Sequence, residues 1–223
     1  MNIKFFDIVV NFIFIQQCRL CNRILKYNEN FVCRNCLEKE LNPIEDINVY
    51  DRLFFLDEVY ILFYYTRIVK ELIHAIKFDR DFSAIKLMKN LIDKHISLER
   101  LPEFDLIIPV PLFPSRKRSR GYNQSQIIGK EISKLTNKKI YENILIRLKN
   151  TKPQSLLILE DRQHNIANAF FVVNSKREYI TDKNILLVDD VFTTGFTTNE
   201  CAKVLKNAGA KNVFLFALAT AVL

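Results

Sequence analysis

Residues 185–197 constrain the fold more than any other part of this sequence. Four apolar residues are followed by the paired carboxylates Asp189 and Asp190, a loop rich in hydroxyl groups around Gly195, and helical apolar spacing over 198–208. A short, wholly apolar strand that passes through a tight loop into a helix is typical of a parallel sheet with helices on both faces. These thirteen residues therefore indicate an α/β protein.

The same order of strand, loop and helix recurs along the chain. Apolar strands are predicted at 59–65, 105–110 and 212–218, and helices at 67–78, 82–96 and 123–135. We therefore predict a mainly parallel sheet flanked by helices in residues 58–223, preceded by a small module in residues 1–57. Ligands of such sheets bind at the carboxyl ends of the strands.

The loop that follows the two carboxylates predicts a phosphate site. It would direct backbone N–H groups and hydroxyls into the positive end of the next helix. The phosphate-binding candidates are Thr193, Thr194, Gly195, Phe196 and Thr197. Asp189 and Asp190, expected to be exposed at the strand end, are acceptors for vicinal hydroxyl groups. A ribose 5-phosphate would satisfy both halves of this pattern.

Four of the five cysteines form two CxxC pairs, Cys18 with Cys21 and Cys33 with Cys36. Two such turns can place four thiolates around one tetrahedral Zn²⁺, which leaves no open position for catalysis and so indicates a structural site. Two disulfides or a redox CxxC are the alternatives. A reducing cytosol disfavours disulfides, and thioredoxin-type chemistry needs one CxxC only.

The chain begins with an apolar stretch at 5–15, interrupted by Asp7 and Asn11. It is about half the ~20 residues that a membrane-spanning helix needs. Residues near Cys18 do not suit cleavage or lipidation of a signal peptide. We therefore predict an amphipathic lead-in helix, no transmembrane segment and a cytoplasmic location, with a membrane-surface role as the alternative.

A basic segment carries Arg116, Lys117, Arg118 and Arg120 within five residues of a chain whose formal net charge is +8. These cations could neutralise a pyrophosphate bound at the same strand ends as the carboxylates. Single-stranded nucleic acid is the competing anion, with Tyr122 as a possible stacking ring, and a merely solvated charge run is the third alternative.

Residues 185–197 resemble the motif by which type I phosphoribosyltransferases bind 5-phosphoribosyl diphosphate (PRPP). Further segments, together with the four-cysteine knuckle, are similar to the competence protein ComF family over nearly the whole chain. They are residues 73–78, 109–112, 116–124, 152–156, 161–162 and 165–170. The resemblance implies that Mg²⁺ is held chiefly by PRPP, with Asp189 and Asp190, the candidate catalytic residues, on hydroxyls or metal-bound water.

The resemblance also implies a role in DNA uptake during natural transformation, peripheral to the inner membrane beside the uptake machinery. Two hypotheses follow from it. In the first, the protein is an enzyme that transfers the ribosyl group of PRPP to an unknown acceptor, including a nucleobase in metabolism unrelated to DNA uptake. In the second, it is a non-catalytic factor that binds single-stranded DNA and retains a PRPP pocket.

Overall fold

The computed structural model describes residues 16–44, 55–149 and 166–221. The lead-in helix expected at 5–15 and the family-like residues 152–165 lie outside the described residues. The described strands are β1 Glu58–Tyr64, β2 Leu106–Pro109, β3 Lys139–Ile140, β4 Leu145–Arg147, β5 Phe170–Val172, β6 Asn184–Phe192 and β7 Asn212–Thr220. The described α-helices are α1 Arg34–Glu40, α2 Arg67–His74, α3 Phe82–His95, α4 Pro114–Arg120, α5 Gln124–Thr136 and α6 Phe196–Asn207. A π-helix, Ala75–Asp79, continues α2, and short 3-10 helices occupy Leu98–Arg100 and Asn174–Tyr179.

Five strands form one sheet in the order β1-β7-β6-β2-β3, and every neighbouring pair is parallel. A separate antiparallel pair joins β4 to β5. The predicted parallel sheet flanked by helices is therefore confirmed. From β2 the chain proceeds to β3 at one edge, whereas from β6 it proceeds to β7 on the other side. The switch point, where α/β sheets bind their ligands, thus lies between β2 and β6.

Alternate residues of the central strands face two separate apolar layers. Ile107 and Leu186 belong to the layer that includes the buried faces of α2, α3 and α5. Ile108 and Leu187 belong to the opposite layer, with α6, β4 and β5. Because both faces are covered, β2 and the part of β6 that pairs with it, Ile185–Val188, are apolar without alternation with polar residues.

The segment that carries the four clustered cysteines packs on the first of these layers. Cys18, Phe31, Val32 and Cys33 are buried in the same apolar cluster as α2 and α3. In the residues that the structure describes, no helix is long and apolar enough to span a membrane.

Candidate functional site

The cleft opens where β2 stops pairing with β6. Parallel pairing of these strands ends at Pro109 and Val188, but β6 continues beside β7 as far as Phe192 and Thr220. The strand predicted to end near Val188 is therefore longer, since its other neighbour continues to supply hydrogen bonds. Asp189 and Asp190 lie within the strand, just beyond its last contact with β2.

Asp189 is held by two hydrogen bonds. Its Oδ1 accepts from the Ser125 hydroxyl at 3.0 Å and from the Asp190 backbone N–H at 2.9 Å. Burial, reinforced by the charge of Asp190, raises the pKa of the Asp189 carboxyl to about 7. This carboxyl therefore changes its charge near neutral pH.

Asp190 is buried, with 6% of its surface exposed. Its Oδ2 lies 2.5 Å from the Nζ of Lys77, which is on the π-helix. The expectation of an exposed strand-end carboxylate is therefore wrong for Asp190. The reason is that the π-helix covers it and provides an opposite charge, as burial of a carboxylate requires.

The loop after β6 has the backbone of an anion cradle. Gly195 adopts a left-handed conformation, φ 75°, and is the N-cap of α6 without a side-chain cap hydrogen bond. Gly195 itself has no side chain that could accept from the first N–H groups of the helix, as a Ser, Thr, Asp or Asn cap would. The hydroxyl of Thr194 is also buried without a hydrogen-bond partner among the described residues. Both features are typical of a site that an anion completes.

The five phosphate-binding candidates do not all face the cleft with their side chains. Thr193, Thr194, Gly195 and Thr197 line it, whereas the Phe196 ring packs against the apolar layer beneath α6. Phe196 can therefore contribute to a phosphate site only through its backbone N–H at the start of the helix.

The basic segment forms helix α4, and this helix divides its cations into two pairs. Arg116 and Arg120, one turn apart, line the cleft. Lys117 and Arg118 do not line the cleft and are exposed. Gly121, at φ 87°, ends the helix. The four cations are therefore not one group.

Two neighbouring side chains hold the Arg120 guanidinium in the cleft. Its guanidinium donates to the side-chain oxygen of Gln124 and lies 5.7 Å from the centre of the Phe78 ring. Burial lowers the pKa of this guanidinium, although Asp190 opposes the effect. Tyr122, the proposed stacking ring, instead donates its hydroxyl to the Ile76 carbonyl and is partly buried.

Three cleft residues were not singled out from the sequence as site residues. Lys77 pairs with Asp190. Ser125 reaches Asp189 because Asn123 caps α5 and donates to the carbonyl of Val110 at the end of β2. Arg147, in β4, lines the cleft and lies 5.3 Å from the Phe170 ring. Of these three residues, only Lys77 could have been found from the sequence, because it lies in the family-like segment 73–78.

Together these elements enclose a cleft of about 690 Å³. One wall carries the loop at the start of α6, the floor carries the two carboxylates, and the opposite wall carries the arginines of α4. Such a volume is within the usual range for a small-molecule site.

The four clustered cysteines are close enough to share one metal ion. Their sulfur atoms all lie within 4.8 Å of one another, and those of Cys21 and Cys33 are 3.8 Å apart. Four sulfurs at about 2.3 Å from a tetrahedral zinc would be about 3.8 Å apart, so the donor set fits such an ion. The N–H of Cys36 also donates to the Cys33 sulfur and lowers the pKa of that thiol to about 6.

All five cysteines are unpaired, so the disulfide alternative is not what the structure shows. Cys201 is buried in the layer beneath α6, where burial raises its pKa well above the ordinary value. This environment is that of a core thiol and disfavours a nucleophilic role.

The fold and the cleft define an α/β protein with a candidate anion site at the switch point of a parallel sheet. Residues 103–222 match the family model of the phosphoribosyl transferase domain, which spans the carboxylates and the cradle. The chain is 32% identical to competence protein F of Haemophilus influenzae, with 92% of this chain and 84% of the relative covered.

Two further relatives extend the comparison. Competence protein ComFC of Streptococcus pneumoniae is 28% identical, with 83% of this chain and 79% of the relative covered. DNA utilization protein YhgH of Escherichia coli is 31% identical, with 66% of this chain and 65% of the relative covered. The chain therefore belongs to the ComF family of proteins that carry a phosphoribosyltransferase domain.

Proposed function

We propose that the protein binds PRPP with Mg²⁺ in the cleft between β2 and β6, and that this binding serves the handling of DNA during its uptake. One observation carries the proposal. Helix α6 begins at a left-handed glycine in the loop that follows the two carboxylates, and the preceding Thr194 hydroxyl is buried without a hydrogen-bond partner among the described residues. A ligand with a phosphate and neighbouring hydroxyl groups complements this combination.

The proposed pose assigns each part of PRPP to one wall. The 5-phosphate lies against the backbone of residues 193–197, and the ribose hydroxyls lie against Asp189 and Asp190. The pyrophosphate faces Arg116 and Arg120, whose planar guanidinium groups suit phosphate oxygens. Mg²⁺, which phosphoribosyltransferase domains generally use, would neutralise part of the pyrophosphate charge.

The chemistry that this arrangement supports is transfer of the ribosyl group. The bond between C1 and the pyrophosphate oxygen breaks, with the electron pair leaving on pyrophosphate, and an acceptor nucleophile forms the new bond to C1. Arg116 and Arg120 stabilise the charge that develops on the leaving group, and the two carboxylates orient the ribose beside its developing positive charge.

A second candidate function is single-stranded DNA binding, and the outward-facing pair Lys117 and Arg118 favours it. Neither cation lines the cleft and both are exposed, and exposed cations of one sign attract a polyanion. The names of the relatives also refer to competence and DNA utilization. We place this role beside the uptake machinery on the cytoplasmic face of the inner membrane, with residues 1–57 as a zinc-stabilised module and 58–223 as the PRPP domain.

Isothermal titration calorimetry with magnesium-PRPP tests the proposal. Asp189→Asn keeps the Oδ1 that accepts from Ser125 and from the Asp190 N–H but removes the charge. Loss of a charge-assisted contact costs roughly 1.5–3 kcal/mol, so affinity should fall about ten-fold or more. Asp93→Asn, on the exposed face of α3, is the matched control.

Equal affinity of Asp189→Asn and the parent protein would remove ribose recognition from this site. Absence of binding by the parent protein at millimolar magnesium-PRPP would contradict the proposed function as a whole.

A further inference from the structure

The π-helix Ala75–Asp79 connects the cysteine segment to the cleft. Such wide turns are rare and are frequently found at functional sites. Here the turn follows α2 without a break, and its third residue, Lys77, reaches the buried Asp190. Phe78, the next residue, lies at the mouth of the cleft with 65% of its surface exposed.

One side of the π-helix is held by the first CxxC turn. Arg19 stands between Cys18 and Cys21, and its backbone N–H donates to the Phe31 carbonyl at 2.9 Å. Its guanidinium leaves the cysteine segment and donates to Asp79, the last residue of the π-helix, at 2.9 Å. It also donates to Glu71 of α2 at 3.3 Å. The position of Asp79 therefore depends on how the four-cysteine segment is folded.

The other side of the π-helix is bonded to helix α4 and to Tyr122, which follows that helix. The Ile76 carbonyl accepts from the Tyr122 hydroxyl. Arg80, left-handed at φ 53°, donates to the Ser119 carbonyl in α4, the helix that carries Arg116 and Arg120. A shift of the turn would therefore move Lys77 against Asp190 and would also disturb α4.

We propose that Arg19 is a positioning residue of the PRPP site, which acts through Asp79 and the π-helix on the placement of Lys77. The cysteine segment then has a second role beyond its own folding, because it sets the geometry of one wall of the cleft. The ion pairs of Arg19 are partly exposed, with side chains 42%, 35% and 37% exposed for Arg19, Glu71 and Asp79. Such pairs add little to global stability, so their loss should alter position more than stability.

The inference rests on the proposed binding of PRPP, but one of its tests does not. Arg19→Gln in the full-length, zinc-loaded protein should increase amide hydrogen exchange over residues 75–79. Arg34→Gln is the matched control, because Arg34 occupies the same place in the second CxxC turn and its guanidinium pairs with Glu38 within α1. Unchanged exchange in Arg19→Gln would overturn the positioning role, whether or not PRPP binds.

Affinity for magnesium-PRPP supplies the second test. Arg19→Gln should weaken binding by roughly five-fold or more, the usual range of coupling between distinct sites, whereas Arg34→Gln should bind as the parent does. Arg19→Lys should restore part of the loss. In a Lys77→Met background the Arg19 substitution should have a smaller effect, because the route through Lys77 has been removed and only the contact with α4 remains.

Three further results would overturn the inference: equal affinity of the two arginine variants, full additivity of Arg19→Gln and Lys77→Met, or loss of metal by Arg19→Gln. Metal retention is followed by the thiolate-to-metal absorption of the cobalt-substituted protein. Should Lys77→Met fail to fold, Asp79→Asn replaces it, since it removes the acceptor charge from the π-helix end of the same contact. Failure of the parent protein to bind PRPP would count against the proposed function, while the exchange measurement still decides the role of Arg19.

Discussion

Helix α4 allows two roles to be separated within one short segment. Its inner pair, Arg116 and Arg120, lines the cleft, whereas its outer pair, Lys117 and Arg118, is exposed. Two double-alanine variants, one for each pair, remove the same charge from the same helix. Both leave Pro114 at its start and Gly121 at its end. Any difference between the variants therefore reports which face the ligand uses.

The expected magnitudes differ in kind. Two charge-assisted contacts to pyrophosphate are worth about 3 to 6 kcal/mol together, so loss of the inner pair should weaken magnesium-PRPP binding roughly a hundred-fold or more. Loss of the outer pair should leave that affinity unchanged. For single-stranded DNA, each neutralised phosphate contributes about −0.7 to the slope of log affinity against log salt. Loss of the outer pair should therefore flatten the slope by about 1.4.

Two measurements test these expectations. Calorimetry gives the affinity for magnesium-PRPP, and fluorescence anisotropy of a labelled oligothymidylate over a series of salt concentrations gives the DNA slope. The inner variant is expected to retain the parent DNA slope. PRPP affinity that survives loss of the inner pair would refute the assignment of pyrophosphate to Arg116 and Arg120. An unchanged DNA slope in the outer variant would remove α4 from any DNA-binding surface.

Two further predictions concern the metal and the proton. The purified protein should contain about one zinc ion per chain by metal analysis, since four thiolates fill one tetrahedral site. Cys18→Ser should release this ion. A protein that is free of zinc after reducing, chelator-free preparation would contradict the proposed zinc site. Magnesium-PRPP affinity should rise as pH increases through about 7, where Asp189 ionises, and Asp189→Asn should flatten that profile in calorimetry. The stability of the fold should depend on pH in the opposite direction to this affinity. The raised pKa means that the folded state binds the Asp189 proton more tightly than the unfolded state does. This proton therefore contributes to the free energy of unfolding below about pH 4, and the contribution is lost as pH rises through 7.

Much of the fold could be predicted because apolar strands and helical spacing are local patterns. The helix predicted over 123–135 is observed as Gln124–Thr136, with Asn123 as its cap. The helix predicted over 82–96 is observed as Phe82–His95, capped by Asp81. Strand ends were less predictable, since β6 continues past Val188 only because β7 continues beside it.

The π-helix could not be predicted in the same way. The apolar residues Ile68, Leu72, Ile73 and Ile76 continue at helical spacing through its start, so the pattern indicates one unbroken helix. The wider turn depends on contacts with Tyr122 and Arg19, which are distant in the sequence. For the same reason the sequence could not reveal that Lys77 reaches Asp190.

The division of the basic segment was within reach of the sequence. Pro114 before the cations and Gly121 after them are ordinary signals for the start and end of a helix. Four-residue spacing then places Arg116 and Arg120 on one face. What the sequence could not supply was the direction in which that face points, because this depends on the orientation of α4 against the sheet.

The ion pair between Lys77 and Asp190 also bears on which ligands the cleft can accept. A ligand whose hydroxyl groups displace Lys77 from Asp190 leaves a partly buried ammonium that needs a new anionic partner, since an unpaired buried charge is costly. Inorganic phosphate or pyrophosphate offers charge but no pair of neighbouring sugar hydroxyls for Asp190, and free ribose offers hydroxyls but no anion for Lys77. A molecule that carries both on one ribose, as PRPP does, can replace the pair without leaving either group unsatisfied. Selectivity of this kind comes from the penalty on incomplete ligands more than from added attraction for the complete one.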